Sequence, residues 1–194
     1  MKKTTLLLLI ILLLGSLFAK AQIKNSDRFI NQRTIGGFAL TGIPLYRLED
    51  KTRYEPIIGG FLFHQPLYQA KKRMNIAVDL MPQVAFVPFE SHNEFEMGFN
   101  VNFSFGYEIN PTTIFSFNIG SGPHYISSYL TRQAHGFIFS DNFTFALRKK
   151  INNLDISIFA GWRHISNAGL EEPNRGINNV STGFSIAHII SAVK

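Results

Sequence analysis

The chain has 194 residues, a formal net charge of +6 and no cysteine. Without cysteine, a disulfide scaffold and any Cys-ligated metal site are excluded. Part of the positive charge comes from Lys2, Lys3 and Lys20 in an N-terminal segment that resembles an export signal, so the charge does not indicate nucleic-acid binding.

The first segment is typical of a secretory signal peptide. Lys2 and Lys3 precede the apolar run from Leu6 to Leu14, and the small-residue pattern Ala19-Lys20-Ala21 follows. We therefore predict a signal peptide over residues 1–21 and one mature domain over residues 22–194, which the patterns below assign to an outer-membrane β-barrel. No run in the mature chain approaches the roughly 18 apolar residues of a transmembrane helix, so a membrane-spanning form must be a closed barrel.

Alternation of apolar and polar residues predicts strands along the mature chain. The clearest segment, 95–109, alternates at every position and exceeds the roughly 10 residues that a tilted strand needs to cross a bilayer. Similar segments are 33–47, 54–68, 73–89, 113–127, 136–148, 154–166 and 178–192. An even number of long strands predicts an all-β fold, an eight-stranded antiparallel transmembrane β-barrel.

The connections between these segments predict which end of the barrel faces outward. Those after the second, fourth and sixth strands are short, whereas those after the first, fifth and seventh are longer. The connection after the third strand, 90–94, is also short and fits this division less well. Barrels of this class have short turns on the periplasmic side and long loops outside. The seventh strand therefore runs outward, and its end lies at the extracellular rim.

The end of the seventh strand carries a candidate nucleophile and base. His164 and Ser166 continue the apolar parity of Leu154 to Trp162, and Asn178 shares the parity of the apolar positions in the last strand. All three side chains are therefore predicted to face the lipid, on the outside of the barrel. A hydroxyl, an imidazole and a third polar group that orients the imidazole form the layout of nucleophilic catalysis.

The residues around this pair resemble the signature of the outer-membrane lipid A 3-O-deacylases, the PagL type. The resemblance rests on His164-x-Ser166-Asn167-Ala168-Gly169 followed by Pro173-Asn174-x-Gly176. It implies that Ser166 is the nucleophile on the 3-O-acyl ester of lipid A and that His164 is the general base. It also implies an oxyanion hole formed by Asn167 and the backbone near Ala168 and Gly169, with no metal and no cofactor.

The sequence departs from the family at the third member of the triad, because the family's glutamate falls on Asn178. An asparagine can fix the imidazole tautomer but cannot neutralise the imidazolium, and an Asp-to-Asn change in the triad of a serine protease costs about 10⁴ in turnover. The activity is therefore expected to be weakened, or another acid serves. Glu171 and Glu172 in the following loop are the candidates.

These features predict a carboxylic ester hydrolase, a lipid A deacylase, in the bacterial outer membrane. Its expected partners are lipopolysaccharide and the membrane, with a homodimer as an open option and no nucleic acid. Arginines at the predicted outer rim could contact the phosphates of lipid A; they are Arg53, Arg132, Arg163 and Arg175. Two other functions remain open from the sequence: a non-catalytic barrel that binds lipopolysaccharide or stabilises the membrane, and a soluble lipid-binding barrel of the lipocalin kind.

Overall fold

The computed structural model describes residues 27–48, 53–90, 92–128 and 130–190. The predicted signal peptide, residues 1–21, lies outside them. A short 3-10 helix, η1 (Phe29–Asn31), precedes the strands β1 (Arg33–Pro44), β2 (Ile57–Lys71), β3 (Met74–Pro88), β4 (Asn93–Asn110), β5 in two segments (Thr113–Ser121 and Pro123–Ile126), β6 (Gly136–Ile151), β7 (Leu154–Ser166) and β8 (Ile177–Ile190). Within these residues, no helix is long and apolar enough to cross a membrane.

The strands form a closed antiparallel ring. Each strand pairs with its neighbours in the chain, and β1 also pairs with β8 from Arg33↔Ile190 to Pro44↔Asn179. This last pairing leaves no open sheet edge. The predicted all-β, eight-stranded fold is confirmed, and each predicted segment coincides with an observed strand to within a few residues.

The outer face of the sheet is apolar and the inner face is polar, which is the reverse of a soluble protein. Large apolar side chains point outward, as Phe61 and Ile158 show with 72% and 62% of their surface exposed. Polar side chains such as Asn100, Ser104 and Ser116 are buried in the interior. An apolar exterior around a polar interior is the pattern of a membrane barrel and is the reverse of the lipocalin alternative.

Both ends of the barrel interior are filled. At the inner end, Phe29 and Ile30 of η1 pack on Ile114 and Ile189. At the outer end, an apolar cluster lies below the loops and consists of Leu48, Tyr54, Val87, Ile126, Leu130, Ile138, Ile165 and Ile177. Ile165 and Ile177 belong to β7 and β8, so this outer cluster fixes the two strand ends that carry the candidate site.

β5 differs from the single continuous strand predicted over 113–127. It is interrupted at Gly122, where a Cβ atom would lie 1.8 Å from the carbonyl oxygen of Phe99. Only glycine permits so close an approach of the neighbouring backbone. The interruption leaves the barrel closed because both segments of β5 pair with β4 and β6.

Candidate active site

The outer end of β7 presents alternate residues to the two sides of the barrel wall. Arg163 and Ile165 are buried in the interior, whereas Trp162, His164 and Ser166 are partly exposed on the outer face. The His164 ring stacks on Trp162 at a centroid distance of 5.6 Å and an interplanar angle of 17°. The imidazole therefore lies against the lipid-facing wall.

His164 is held by Asn178 from the adjacent strand. The two residues are direct partners in the β7–β8 pairing, and His164 Nδ1 lies 2.9 Å from Asn178 Oδ1. The other end of the same amide, Asn178 Nδ2, donates to the Tyr46 hydroxyl at 3.2 Å, and that hydroxyl donates to the Gly176 carbonyl at 3.1 Å. Because the Tyr46 proton is used on Gly176, Tyr46 must accept from the amide nitrogen of Asn178.

This orientation determines the imidazole tautomer. With its nitrogen directed at Tyr46, Asn178 presents its oxygen to His164, so the Nδ1 atom carries the proton. The Nε2 atom keeps its lone pair, as a general base requires. The arrangement orients the base without placing a negative charge against it.

Ser166 lies two positions beyond His164 on the same face. Its direct neighbour across the β6–β7 pairing is Phe139, which stacks edge-on against Phe137 at 5.0 Å. Within the described part of the chain, the Ser166 hydroxyl makes no hydrogen bond. It is therefore available to a substrate that approaches along the aromatic outer wall.

The loop after Ser166 is organised around Asn167. The Asn167 side chain is buried; it donates to the Glu171 carbonyl at 2.6 Å and accepts from the Gly169 N–H at 3.0 Å. The Asn167 N–H donates to Asn174 Oδ1 at 2.9 Å. Among the three predicted oxyanion-hole residues, these bonds leave only the Ala168 N–H without an acceptor in the described structure.

The conformation of this loop exposes that N–H group. Ala168 and Gly169 both have positive φ angles, 55° and 76°, directly after the strand ends. Ala168 is exposed, and the neighbouring Gly169 N–H is already bound by Asn167 Oδ1. Ala168 is thus the donor that the loop can offer to a developing oxyanion.

Glu171 and Glu172 are exposed in the same loop. Glu172 Oε2 accepts from the Asn174 N–H at 3.1 Å, and the Glu171 contribution to the site is its carbonyl, which binds Asn167. In the described structure neither carboxylate contacts His164. Their observed role is to shape the loop.

Arg163 was expected at the outer rim with the other arginines of this end, and that expectation is wrong. Its side chain is buried inside the barrel with 1% exposed, where it pairs with Glu96 and donates to Ser140 Oγ at 2.9 Å. Glu96 also accepts from Tyr54 at 2.7 Å and contacts His124 at 2.6 Å. This buried network lies directly behind His164 and anchors the end of β7.

Sequence reasoning missed Tyr46, because the predicted first strand, 33–47, included it, whereas β1 ends at Pro44 and Tyr46 lies in the following connection. Tyr46 is covered by Arg132, whose guanidinium lies 4.8 Å from the ring centroid and whose Nε donates to the Gly176 carbonyl at 3.4 Å. The one available signal was that the first strand of a closed ring must pair with the last, which brings the outer end of β1 beside the outer end of β8.

Comparison with known proteins identifies one family. The family model described as lipid A 3-O-deacylase (PagL) matches residues 50–187. Among solved structures, the chain is similar to the crystal structure of the outer membrane enzyme PagL, with a TM-score of 0.62 and 16% sequence identity over 79% of this chain and 97% of that one. At this identity, the structural likeness shows a shared fold. No curated protein matches the chain.

Proposed function

The chain belongs to the lipid A 3-O-deacylase (PagL) family, and we propose that Ser166 and His164 perform the family's ester hydrolysis on the outer wall of the barrel. It is an outer-membrane enzyme whose substrate is lipid A. The observation that carries the proposal is the hydrogen bond from His164 Nδ1 to Asn178 Oδ1 beside the outward hydroxyl of Ser166. That bond leaves a basic nitrogen on the face where the lipid lies.

In the first step, the Ser166 oxygen attacks the 3-O-acyl carbonyl while His164 Nε2 takes the hydroxyl proton. The Cα atoms of residues i and i+2 in a strand are about 6.6 Å apart, so side-chain rotation brings the hydroxyl and the imidazole within reach. The Ala168 N–H stabilises the oxyanion. Collapse breaks the ester bond, and the imidazolium returns its proton to the sugar oxygen as the acyl group stays on Ser166.

In the second step, water releases the acyl group. His164 Nε2 takes a proton from the water as it attacks the acyl carbonyl, and then returns a proton to Ser166 as the fatty acid leaves. The barrel exterior suits this chemistry because lipid A stays in the outer leaflet and reaches the wall by lateral diffusion. The neighbouring Trp162 and Phe139 provide an apolar surface for its acyl chains.

The test is the mass spectrum of lipid A from cells that make the wild-type protein, Ser166→Ala or Ser121→Ala. Ser121 is an exposed serine on β5, away from the site, and serves as the matched control. We expect loss of one acyl chain with wild type and Ser121→Ala, and intact lipid A with Ser166→Ala. Deacylation by Ser166→Ala would overturn the assignment of the nucleophile.

Asn178 also supports a second candidate, a non-catalytic barrel that binds lipopolysaccharide. The amide supplies no charge to stabilise the imidazolium, so the reaction could be lost while the fold is retained. This candidate predicts intact lipid A in cells making the wild-type protein, at expression levels confirmed in the outer-membrane fraction. Released fatty acid that depends on Ser166 excludes it.

A further inference from the structure

Asp141 lies directly across from His164, on the side opposite Asn178. Asp141 is the partner of His164 in the β6–β7 pairing, just as Asn178 is its partner in the β7–β8 pairing. Directly opposed residues on one face of an antiparallel pair have Cβ atoms about 4.5–5.5 Å apart. The imidazole is therefore flanked by an amide on one strand and a carboxylate on the other.

The alternation of β6 places Asp141 on the lipid-facing side. Phe143 and Phe145, which share its parity, are 38% and 54% exposed, whereas the adjacent Ser140 is completely buried. The other carboxylates in the described strands have the lumen parity; they are Asp79, Glu94, Glu96, Glu108 and Asp155. Asp141 is thus the one carboxylate of these strands on the outer face.

A carboxylate on the outer wall of a membrane barrel is unfavourable unless a cation or hydrogen-bond donor compensates it. In the described structure the Asp141 carboxylate makes neither a hydrogen bond nor an ion pair. The titratable side chain directly opposite it is His164, which becomes a cation when it takes the proton of Ser166. A charge that lacks a partner at rest would gain one during the reaction.

We propose that Asp141 supplies the negative charge that Asn178 lacks, so that the two functions of the usual triad acid are divided between the two neighbouring strands. The proposal rests on the proposed function. Asn178 fixes the His164 tautomer by its hydrogen bond with His164 Nδ1, and the charge of Asp141 stabilises the imidazolium from the other neighbouring strand. Asp141 is a positioning residue, because it acts through His164 and touches no reacting atom.

The other charged and titratable groups around the imidazole come from the loops. Tyr46 belongs to the β1–β2 connection, Arg132 to the β5–β6 connection, and Glu171, Glu172 and Arg175 to the β7–β8 connection. Arg132 lies over Tyr46, and its positive charge disfavours a second positive charge on His164. Glu171 and Glu172 are exposed, so water and salt screen them. Asp141 is the carboxylate that the strand pairing itself places beside the ring.

The test measures the rate at which a serine-directed fluorophosphonate modifies Ser166 in the purified, detergent-solubilised protein, followed by intact-mass spectrometry. This reaction needs the activated serine but no lipid A. We expect Asp141→Asn to label about 10- to 100-fold more slowly than wild type, the range for opposite charges about 5 Å apart at a partly screened site. Glu90→Gln, which removes an exposed carboxylate from the β3–β4 connection on another side of the barrel, is expected to label at the wild-type rate.

Charge rescue separates an electrostatic effect from a structural one. Asp141→Glu is expected to retain most of the rate, and Asn178→Glu added to Asp141→Asn is expected to restore it by returning a charge from the other strand.

The outcomes distinguish this inference from the proposed function. A wild-type labelling rate in Asp141→Asn, or a slow rate that Asn178→Glu fails to restore, would overturn the role of Asp141 while leaving the Ser166 mechanism in place. Labelling that persists in Ser166→Ala, or wild-type protein that is not labelled at all, would overturn the mechanism itself. Labelling that depends on Ser166 and Asp141, in a protein that leaves lipid A intact, would support the role of Asp141 and contradict the assignment of lipid A as the substrate.

Discussion

Gly176 is the residue that controls how close the backbone lies to the His164 ring. Its φ angle is +66°, and a Cβ atom there would lie 2.4 Å from His164 Cε1 and 2.9 Å from Nε2. Its carbonyl also accepts the Tyr46 hydroxyl. One glycine thus leaves room for the imidazole and indirectly fixes the orientation of Asn178.

Gly176→Ala is therefore expected to lower deacylation by at least about tenfold, since the imidazole must shift from its position and a misplacement of about 1 Å can cost about 10²-fold in rate. Gly136→Ala is the matched control, because Gly136 also has a positive φ, +93°, but its Cβ would meet nothing within 4 Å. Each substitution should cost about 1–3 kcal/mol of backbone strain. Lipid A mass spectra together with unfolding curves check the pair, and equal activity in the two variants would contradict the argument.

At this scale, the sequence predicted the contact between His164 and Asn178 but not the residues that complete it. Parity alone put both side chains on one face, and antiparallel pairing of the two consecutive strands makes them direct neighbours. To predict that Asp141 lies opposite His164, the register of the β6–β7 hairpin would have to be known. The two-residue turn that pairs Ile151 with Leu154 sets that register, whereas a five-residue connection, 149–153, was predicted there.

The strand β7 is an element with two separate tasks on its two faces. Its outer face carries His164 and Ser166, and its inner face carries Arg163 and Ile165. Arg163 is joined to β4 through Glu96 and to β6 through Ser140, so it connects three strands behind His164 and Ser166. The lumen network consequently supports a site that lies on the opposite side of the wall.

Glu96→Gln is expected to destabilise the barrel by about 3–5 kcal/mol, because it leaves the guanidinium of Arg163 buried without its counter-charge. Deacylation should also fall, since the end of β7 loses its anchor. Glu108→Gln on the same strand is the control: its partner Arg28 is 26% exposed, so water can compensate the lost charge. Urea unfolding of both variants in lipid vesicles measures the difference, and similar midpoints would contradict the role assigned to the network.

Strand existence was predictable because period-two alternation persists over lengths that only a membrane barrel requires. The position of Arg163 was not predicted, although it has the inward parity of Asp155 and Ser157. The general expectation that rim arginines meet lipid phosphates outweighed the parity. The alternation rule was the better guide, since a one-position change in a strand moves a side chain through the wall.

For the molecule as a whole, closure of the ring brings together loops that are distant in the chain. Tyr46 follows β1, Arg132 precedes β6 and Gly176 precedes β8, yet all three meet at the Gly176 carbonyl. Further bonds tie the β5–β6 loop to the β7–β8 loop, including Ala134 N–H to the Pro173 carbonyl at 2.7 Å. The candidate site is therefore completed by the pairing of the first and last strands.

The opposite end of the barrel contributes to stability and is remote from this chemistry. Phe29 is 2% exposed, packs in the inner cluster and has the guanidinium of Arg148 5.4 Å from its ring centroid. Phe29→Ala should cost about 3–5 kcal/mol, the usual range for a truncated buried phenylalanine. Because the site is held by the outer cluster and the Glu96 network, deacylation below the unfolding transition should keep its wild-type rate.

The loss of stability is measured by thermal unfolding of the detergent-solubilised protein, which is monitored by the disappearance of the compact form on electrophoresis. The deacylation rate is measured by lipid A mass spectra. Asp27→Ala, an exposed substitution beside η1, controls for disturbance of the segment and should change neither. A fall in deacylation with Phe29→Ala at temperatures where the barrel remains folded would show that the inner end is coupled to the site. In that case the independence of the two ends of the barrel would be wrong.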